Sequence, residues 1–307
     1  MIWEPVGRRR GLLHVAMRRT AILFAAVVLL GTTMLAAPAR ASSRRAGTIA
    51  FVREGDERGL WLVQADGAET RLTQGQDYRP DWSPDGRWIV FQRFEGGGSD
   101  IYVVRADGSH VRALTEDGDN YHPSWSPDGE RIAFVHGQGR EDEIELMDVD
   151  GGARIQLTHN DQEDVRPTWS PDGSTICVAR GPSPSSDLYL VPVDGGSERR
   201  LTRTAARDQE PSWSPDGRWI LFARRRENHA LDLFLIRPDG SGLRRVTHNR
   251  ALDWAPSWSP DGTQVVFTRA RYQRQQELLI VFTLRTGDRE RVAISPAFEL
   301  EPDWRPA

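Results

Sequence analysis

Six oxygen-bearing side chains recur at one place in a repeated motif. Asp77, Asn120, Asp164, Asp208, Asp253 and Glu299 each stand three residues before a proline. Five are carboxylates and the sixth is an amide. Gathered around a common axis, they would form an oxygen-rich ring. Such a ring of like charges is costly unless a cation, a cationic group of a partner or a raised pKa relieves it. Ca2+ or another divalent cation is the cofactor it would suit, although nothing in the sequence requires one. The local alternative is that each Asp caps its own loop by accepting from backbone N–H groups. The two readings can coexist.

The residue just before each proline varies: Arg79, His122, Arg166, Glu210, Ala255 and Glu301. Strand alternation makes it the next residue facing the same way as the ring position. Among otherwise near-identical repeats, variation is where a specific ligand is read. Arg79, His122, Arg166, Glu210 and Glu301 are therefore the ligand-reading candidates. Tyr78, Tyr121 and Trp254 face the other way and are expected to pack between repeats.

Other chemistry is thin. His159 and His248 occupy the same Thr-His-Asn loop in two separated repeats, which argues for loop polarity over a shared metal. The single cysteine, Cys177, sits in an apolar run and is expected to be a buried, inert thiol. There is no G-x-S-x-G elbow, and no unique histidine cluster stands out. No residue is assigned a catalytic role.

The elements that position these side chains follow from the repeat. PDWSPDG at 80–86, PSWSPDG at 123–129, PTWSPDG at 167–173, PSWSPDG at 211–217 and PSWSPDG at 256–262 are joined by a truncated Pro302-Asp303-Trp304-Arg305-Pro306. A period of about 40–45 residues belongs to propeller blades of four strands. Each period reads as a strand ending in Trp, a Ser-Pro-Asp-Gly hairpin, an apolar strand such as Trp88–Phe91, a third strand such as Ile101–Val104, a second Gly turn, and a fourth strand ending in Leu-Thr. The motif tryptophans 82, 125, 169, 213, 258 and 304 are expected in the core. The first repeat starts at Thr48–Phe51 without a first strand, and the chain ends on one without its partner. The expected fold is all-β: a six-bladed propeller of four-stranded antiparallel blades, closed by pairing the C-terminal strand with the N-terminal blade.

Residues 1–41 read as an address. Arg18 and Arg19 precede an apolar run over 20–37, and Ala39-Arg40-Ala41 is a small-x-small cleavage pattern. That describes a signal peptide cut after Ala41, with 1–16 an upstream extension if Met17 is the true start. Residues 42–46 are a short linker and 47–307 the propeller. Sec export fits better than twin-arginine export. Once residues 1–41 are cut, no stable membrane insertion is expected. They carry six arginines and one acid, so the rest holds 34 arginines against 43 acids. A body of that sign excludes a phosphate backbone, and hence nucleic acid, as partner.

The pattern P-x-W-S-P-D-G, apolar strand, D-G turn, L-T resembles the TolB-type propeller repeat over essentially all of 47–306. The resemblance implies an extracytoplasmic, monomeric binding module in the periplasm or cell envelope, docking a protein or peptide at its channel mouth, in envelope maintenance or transport of the Tol–Pal kind. TolB itself carries an α/β domain before its propeller, used toward inner-membrane components; the expectation here is a propeller without it. Two other readings stand beside this one. One is a metal-dependent polysaccharide lyase or hydrolase working in the funnel, and the other is a scaffold with no small ligand.

Overall fold

The computed structural model describes residues 47–137, 142–181, 185–227, 230–271, 276–292 and 298–307. The expected leader and linker, 1–46, lie outside them. The described residues are all-β, with one 3-10 turn at Gly55–Glu57 and antiparallel four-stranded sheets of the kind that build a propeller. No helix among them is long and apolar enough to cross a membrane.

The second repeat shows why the motif folds as it does. Its strands are Gln76–Trp82, Trp88–Glu95, Gly98–Arg105 and Arg112–Ala113, paired in chain order. At the hairpin, Ser83 Oγ donates to Asp85 Oδ1 (2.6 Å) and accepts from Trp88 N (2.9 Å). Asp85 also accepts from Arg87 N, and Gly86 takes φ 63°, a left-handed conformation that favours glycine. The threonine of the Leu-Thr signature fastens the outermost strand to the third, because Thr115 Oγ1 accepts from Ile101 N (2.9 Å). Thr73, Thr158, Thr202 and Thr247 make the same bond to Leu60, Ile144, Leu188 and Leu233.

Four sheets have four strands. A fifth has eight, because a single parallel bridge, Leu231 to Leu252, joins two four-stranded halves. The C-terminal strand, Glu299–Trp304, pairs antiparallel with Ile49–Arg53 and so supplies the inner strand that the first repeat lacks. The apolar cores lie between successive repeats rather than inside one. Val52, Leu60 and Leu62 of the first meet Trp82, Ile89 and Phe91 of the second. At the other end of the chain, Val266, Leu279 and Val281 of the sixth meet Ile49, Phe51 and Trp304. This is why the second strands are apolar on both faces. Trp82, Trp169, Trp258 and Trp304 are buried, and Trp125 and Trp213 are half-buried against their neighbours' cores.

Every first strand departs from regular alternation at one point. Register shifts fall between Tyr78 and Asp81, Tyr121 and Ser124, Val165 and Thr168, Gln209 and Ser212, and Trp254 and Ser257, and again where the C-terminal strand pairs with Ala50 and Val52. The bulged residues are the pre-proline ones. Arg79, His122, Arg166, Glu210, Ala255 and Glu301 have φ of 55°, 51°, 60°, 56°, 47° and 50°. Non-glycine residues rarely hold such values, and bulges re-aim side chains. This corrects the expectation that these residues simply face the same way as the ring position.

Candidate functional site

The acids of the expected oxygen ring are engaged by arginines. Asp77, Asp164, Asp208 and Asp253 are fully buried, and each takes two contacts from a guanidinium on its own second strand: Arg93 (2.6 and 2.9 Å), Arg180 (2.6 and 2.6 Å), Arg224 (2.6 and 2.7 Å) and Arg269 (2.6 and 2.8 Å). Asn120 Oδ1 meets His136 Nδ1 at 3.1 Å and also accepts from Arg154 at 3.2 Å. Glu299 Oε1 accepts from Arg53 at 3.2 Å, across 246 positions of chain. Burial pushes the carboxyls of Asp164 and Asp208 up against the opposing pull of their arginines, and it lifts Glu299 to about 7. The charge on these acids is thus relieved within each repeat. No group of three or more His, Cys, Asp or Glu able to hold a metal occurs among the described residues. Loop capping falls to other acids: Glu143 accepts from Asn160 N (2.6 Å) and Asp187 from Thr204 N (3.1 Å).

The six pre-proline side chains do come together. Arg79, His122, Arg166, Glu210, Ala255 and Glu301 line one cavity of ≈130 Å³ on the axis, with the prolines that follow them. The first strands that carry them touch one another in succession, and the last touches the first. Arg79 spans the cavity: it meets Glu210 at 2.5 and 3.2 Å through its two Nη atoms, and Glu301 at 2.9 Å through Nε. Its backbone N–H donates to Glu301 Oε2 (2.8 Å). Arg166 pairs with the same Glu210. His122 N donates to Gln92 Oε1 (3.1 Å). Burial, then the charges of Arg79 and Arg166, holds the His122 imidazole well below its ordinary range, so it is neutral.

Two further carboxylates, Asp81 and Asp303, line the same cavity. Asp303 Oδ2 accepts from Trp82 N (2.8 Å) and Asp81 Oδ2 from Trp125 N (2.5 Å), so each staples one repeat to the next. Burial raises Asp303 to about 6, and burial with the neighbouring Asp303 raises Asp81. A funnel of ≈720 Å³ shares Arg79, Arg166 and Glu210 with this cavity and is also lined by Arg207, Gln209, Trp254 and Glu277. Sequence reasoning missed Arg207, Gln209 and Glu277, which carry no motif. It also missed the clamping arginines, although their constant spacing of 16 residues from the acid was a legible signal.

The remaining candidates fall where their chemistry suggests. Tyr78, Tyr121 and Trp254 pack partly buried against inter-repeat cores, and burial lifts the Tyr78 hydroxyl to about 12. His159 and His248 are exposed in their loops. Cys177 is buried and free, and burial pushes its thiol up, away from reactivity.

Comparison with known proteins gives the following. The family model described as the TolB beta propeller domain matches residues 28–176 and 122–230, and that of the Tricorn protease N-terminal beta propeller domain matches 183–303. An uncharacterised protein of Agrobacterium fabrum is 50% identical over 52 residues, 16% of this chain and 18% of that one; the match spans less than a fifth of that relative. Among solved structures, TolB from Acinetobacter baumannii has 24% identity and a TM-score of 0.75, covering 85% of this chain and 67% of that one. A putative TolB from Agrobacterium tumefaciens has 25% identity and a TM-score of 0.65, covering 84% and 90%. Oligogalacturonate lyase from Vibrio parahaemolyticus, at 16% identity, a TM-score of 0.54 and coverage of 81% and 73%, shares the fold alone.

Proposed function

The chain belongs to the TolB β-propeller family, and from that premise we propose that it is a non-catalytic, extracytoplasmic binding module that docks a protein or peptide at the mouth of its axial channel. In this reading the repeats are six blades in a closed ring. Two facts support closure: Glu299–Trp304 pairs with Ile49–Arg53, and the Ile49–Phe51–Trp304 core packs on the sixth repeat.

One observation carries the binding reading. The turns and cores recur from repeat to repeat, while the pre-proline position varies in charge and size, and that position converges on one cavity. A strained backbone kept at six positions, aiming basic, acidic, imidazole and methyl side chains into one cavity, is what a ligand-reading surface needs. The extracytoplasmic assignment rests on the leader-like residues 1–41 and on the family. A role in envelope maintenance follows from the same likeness, with an envelope protein or peptide as partner.

The test is retention of proteins from a cell-envelope extract on the immobilised protein. A Glu210→Ala/Arg166→Ala variant that leaves the fold intact serves as control. Partners held by the wild type and lost by the variant are the expected result. Equal retention by both would sink the reading. Chelator-sensitive turnover of uronate-containing glycans with added Mn2+ would replace it with the enzymatic alternative.

A further inference from the structure

The wide funnel differs from the narrow axial cavity in one respect: its charges are not all spoken for. Within the ion-pair layer, Glu210 is shared by Arg79 and Arg166, and Glu301 takes Arg79 as well. Arg207 lines the funnel close enough to Arg166 for their charges to act on each other. Yet no carboxylate among the described residues lies within ion-pair distance of it. It is a half-buried guanidinium without a direct ion pair among the described residues. Burial, then the nearby Arg225, makes its protonated form less comfortable than usual, against a partial pull from the charge of Glu163. A guanidinium in that state gains from any carboxylate that arrives with correct geometry, because charge-assisted, two-pronged hydrogen bonds form in a partly desolvated place.

A second, independent feature points to a ligand. Gln209, two residues on from Arg207 in the chain, is 8% exposed and also lines the funnel, and its Oε1 has no hydrogen-bond partner among the described residues. A buried amide oxygen without a donor bears an uncompensated loss of solvation, so it is a place for an N–H group to arrive. A third feature sets what else the ligand carries. Leu231, Leu252 and Trp254 form a partly exposed apolar wall in the same funnel. Glu277, also in the funnel, has no ion pair among the described residues; its carboxyl is raised by burial and by the charges of Glu301 and Glu54. The funnel is thus polarised, with a cation lacking a direct ion pair at one place and an acid whose carboxyl is raised by burial at another.

We propose that the funnel reads a peptide by its carboxylate: an acidic side chain or a C-terminal carboxylate seats on Arg207, a backbone N–H of the same peptide donates to Gln209 Oε1, and a neighbouring apolar side chain lies on Leu231, Leu252 and Trp254. The inference rests on the peptide-docking reading above and narrows it. Glu210 serves as the internal template, since a carboxylate between Arg79 and Arg166 is already the preferred guest of this arginine cluster.

The experiment measures binding of fluorescein-labelled octapeptides to the purified protein by anisotropy at low salt. The peptides are Leu/Ser-rich and carry one central Glu or Gln, each with a free or an amidated C-terminus. The Glu peptide, or the free-acid form, is expected to bind at least tenfold more tightly than its neutral counterpart. Whichever pair shows the difference identifies side chain or terminus as the source of the carboxylate. Arg207→Gln should erase the difference without moving Tm by more than a few degrees, and Arg207→Lys should restore part of it. Equal binding of acidic and neutral peptides, or a preference that survives Arg207→Gln, would overturn the carboxylate assignment and leave the peptide reading standing. Failure of every peptide to bind would remove both.

Discussion

Two positions only two residues apart in each first strand have opposite fates. The first, Asp77 and its equivalents, is nearly constant and ends buried against an arginine of its own repeat. The second, Arg79 and its equivalents, varies and ends on the axis, aimed there by a bulge. The constant position looks chemical in the sequence because it is charged, yet its charge is spent on holding the repeat together. The varied position carries what distinguishes one repeat from another. In a repeat protein, recurrence marks what every unit needs to fold, and departure from recurrence marks what the assembly needs only once.

The largest blow to that comparison is to remove the repeat that uses both ends of the chain. Deleting 299–307 takes away the Glu299 clamp on Arg53, the strand paired with Ile49–Arg53 and the buried Trp304. Loss of one such aromatic alone costs ~3–5 kcal/mol, against a total stability of ~5–15 kcal/mol for a domain. Thermal unfolding should shift as a whole, with no separate early phase. An unchanged midpoint would mean that the terminal strand does not close a ring.

The next test sets the two positions against each other in one strand. Asp164→Ala strands the buried Arg180, whose remaining partner is the exposed Glu198. Breaking a buried pair from one side costs ~3–5 kcal/mol. Arg166→Ala leaves Glu210 paired with Arg79 and relieves the repulsion between the two arginines, so its cost should be about 1 kcal/mol or less. Chemical denaturation of both variants checks the order. If Arg166→Ala proves the more damaging, the division between a structural and a reading position is wrong.

The repeat, the turns, the Leu-Thr ending and the pairing of chain ends were legible because each is a local pattern repeated five or six times. Register was legible only up to the bulge. Nothing in Tyr78-Arg79-Pro80 announces a left-handed residue, since a residue before proline ordinarily prefers extended backbone. The fate of the ring acids was hidden for a different reason. A carboxylate is read as a site when its counter-charge lies elsewhere in the sequence, and the pairing of Asp77 with Arg93 depends on strand register. The funnel was least legible. Arg207, Gln209 and Glu277 belong to no recurrent pattern, and the fold alone assembles them.

A subtler way to sharpen the contrast uses pH. Burial raises Glu299 from its ordinary 4.5 to about 7, so between these values the folded chain holds a proton that the unfolded chain has lost. The stabilisation from this group is therefore complete at low pH and falls as pH rises through that window. Asp303, raised to about 6, has the same sign. Glu299→Gln should flatten, without abolishing, the decline in Tm between about pH 4.5 and 7, and should gain on the wild type above it. A variant that loses stability relative to the wild type as pH rises would show that the Arg53 pair outweighs burial at this position.

The smallest expected effect isolates the strain itself. Ala255 is the one pre-proline residue that carries no functional group, yet it holds φ 47° like the other five. A left-handed conformation costs a non-glycine residue ~1–2 kcal/mol, whereas glycine adopts it freely and loses part of that gain to its greater freedom when unfolded. Ala255→Gly should therefore stabilise by about 1 kcal/mol or less, with retention of envelope partners unchanged. The same substitution at Glu210 should release similar strain but lose the pairs with Arg79 and Arg166, and with them the partners. Measured together, the two variants separate the backbone cost, which the positions share, from the side-chain role, which they do not. If Ala255→Gly is destabilising, the left-handed residues are not strained, and the bulge is simply the geometry that this strand prefers.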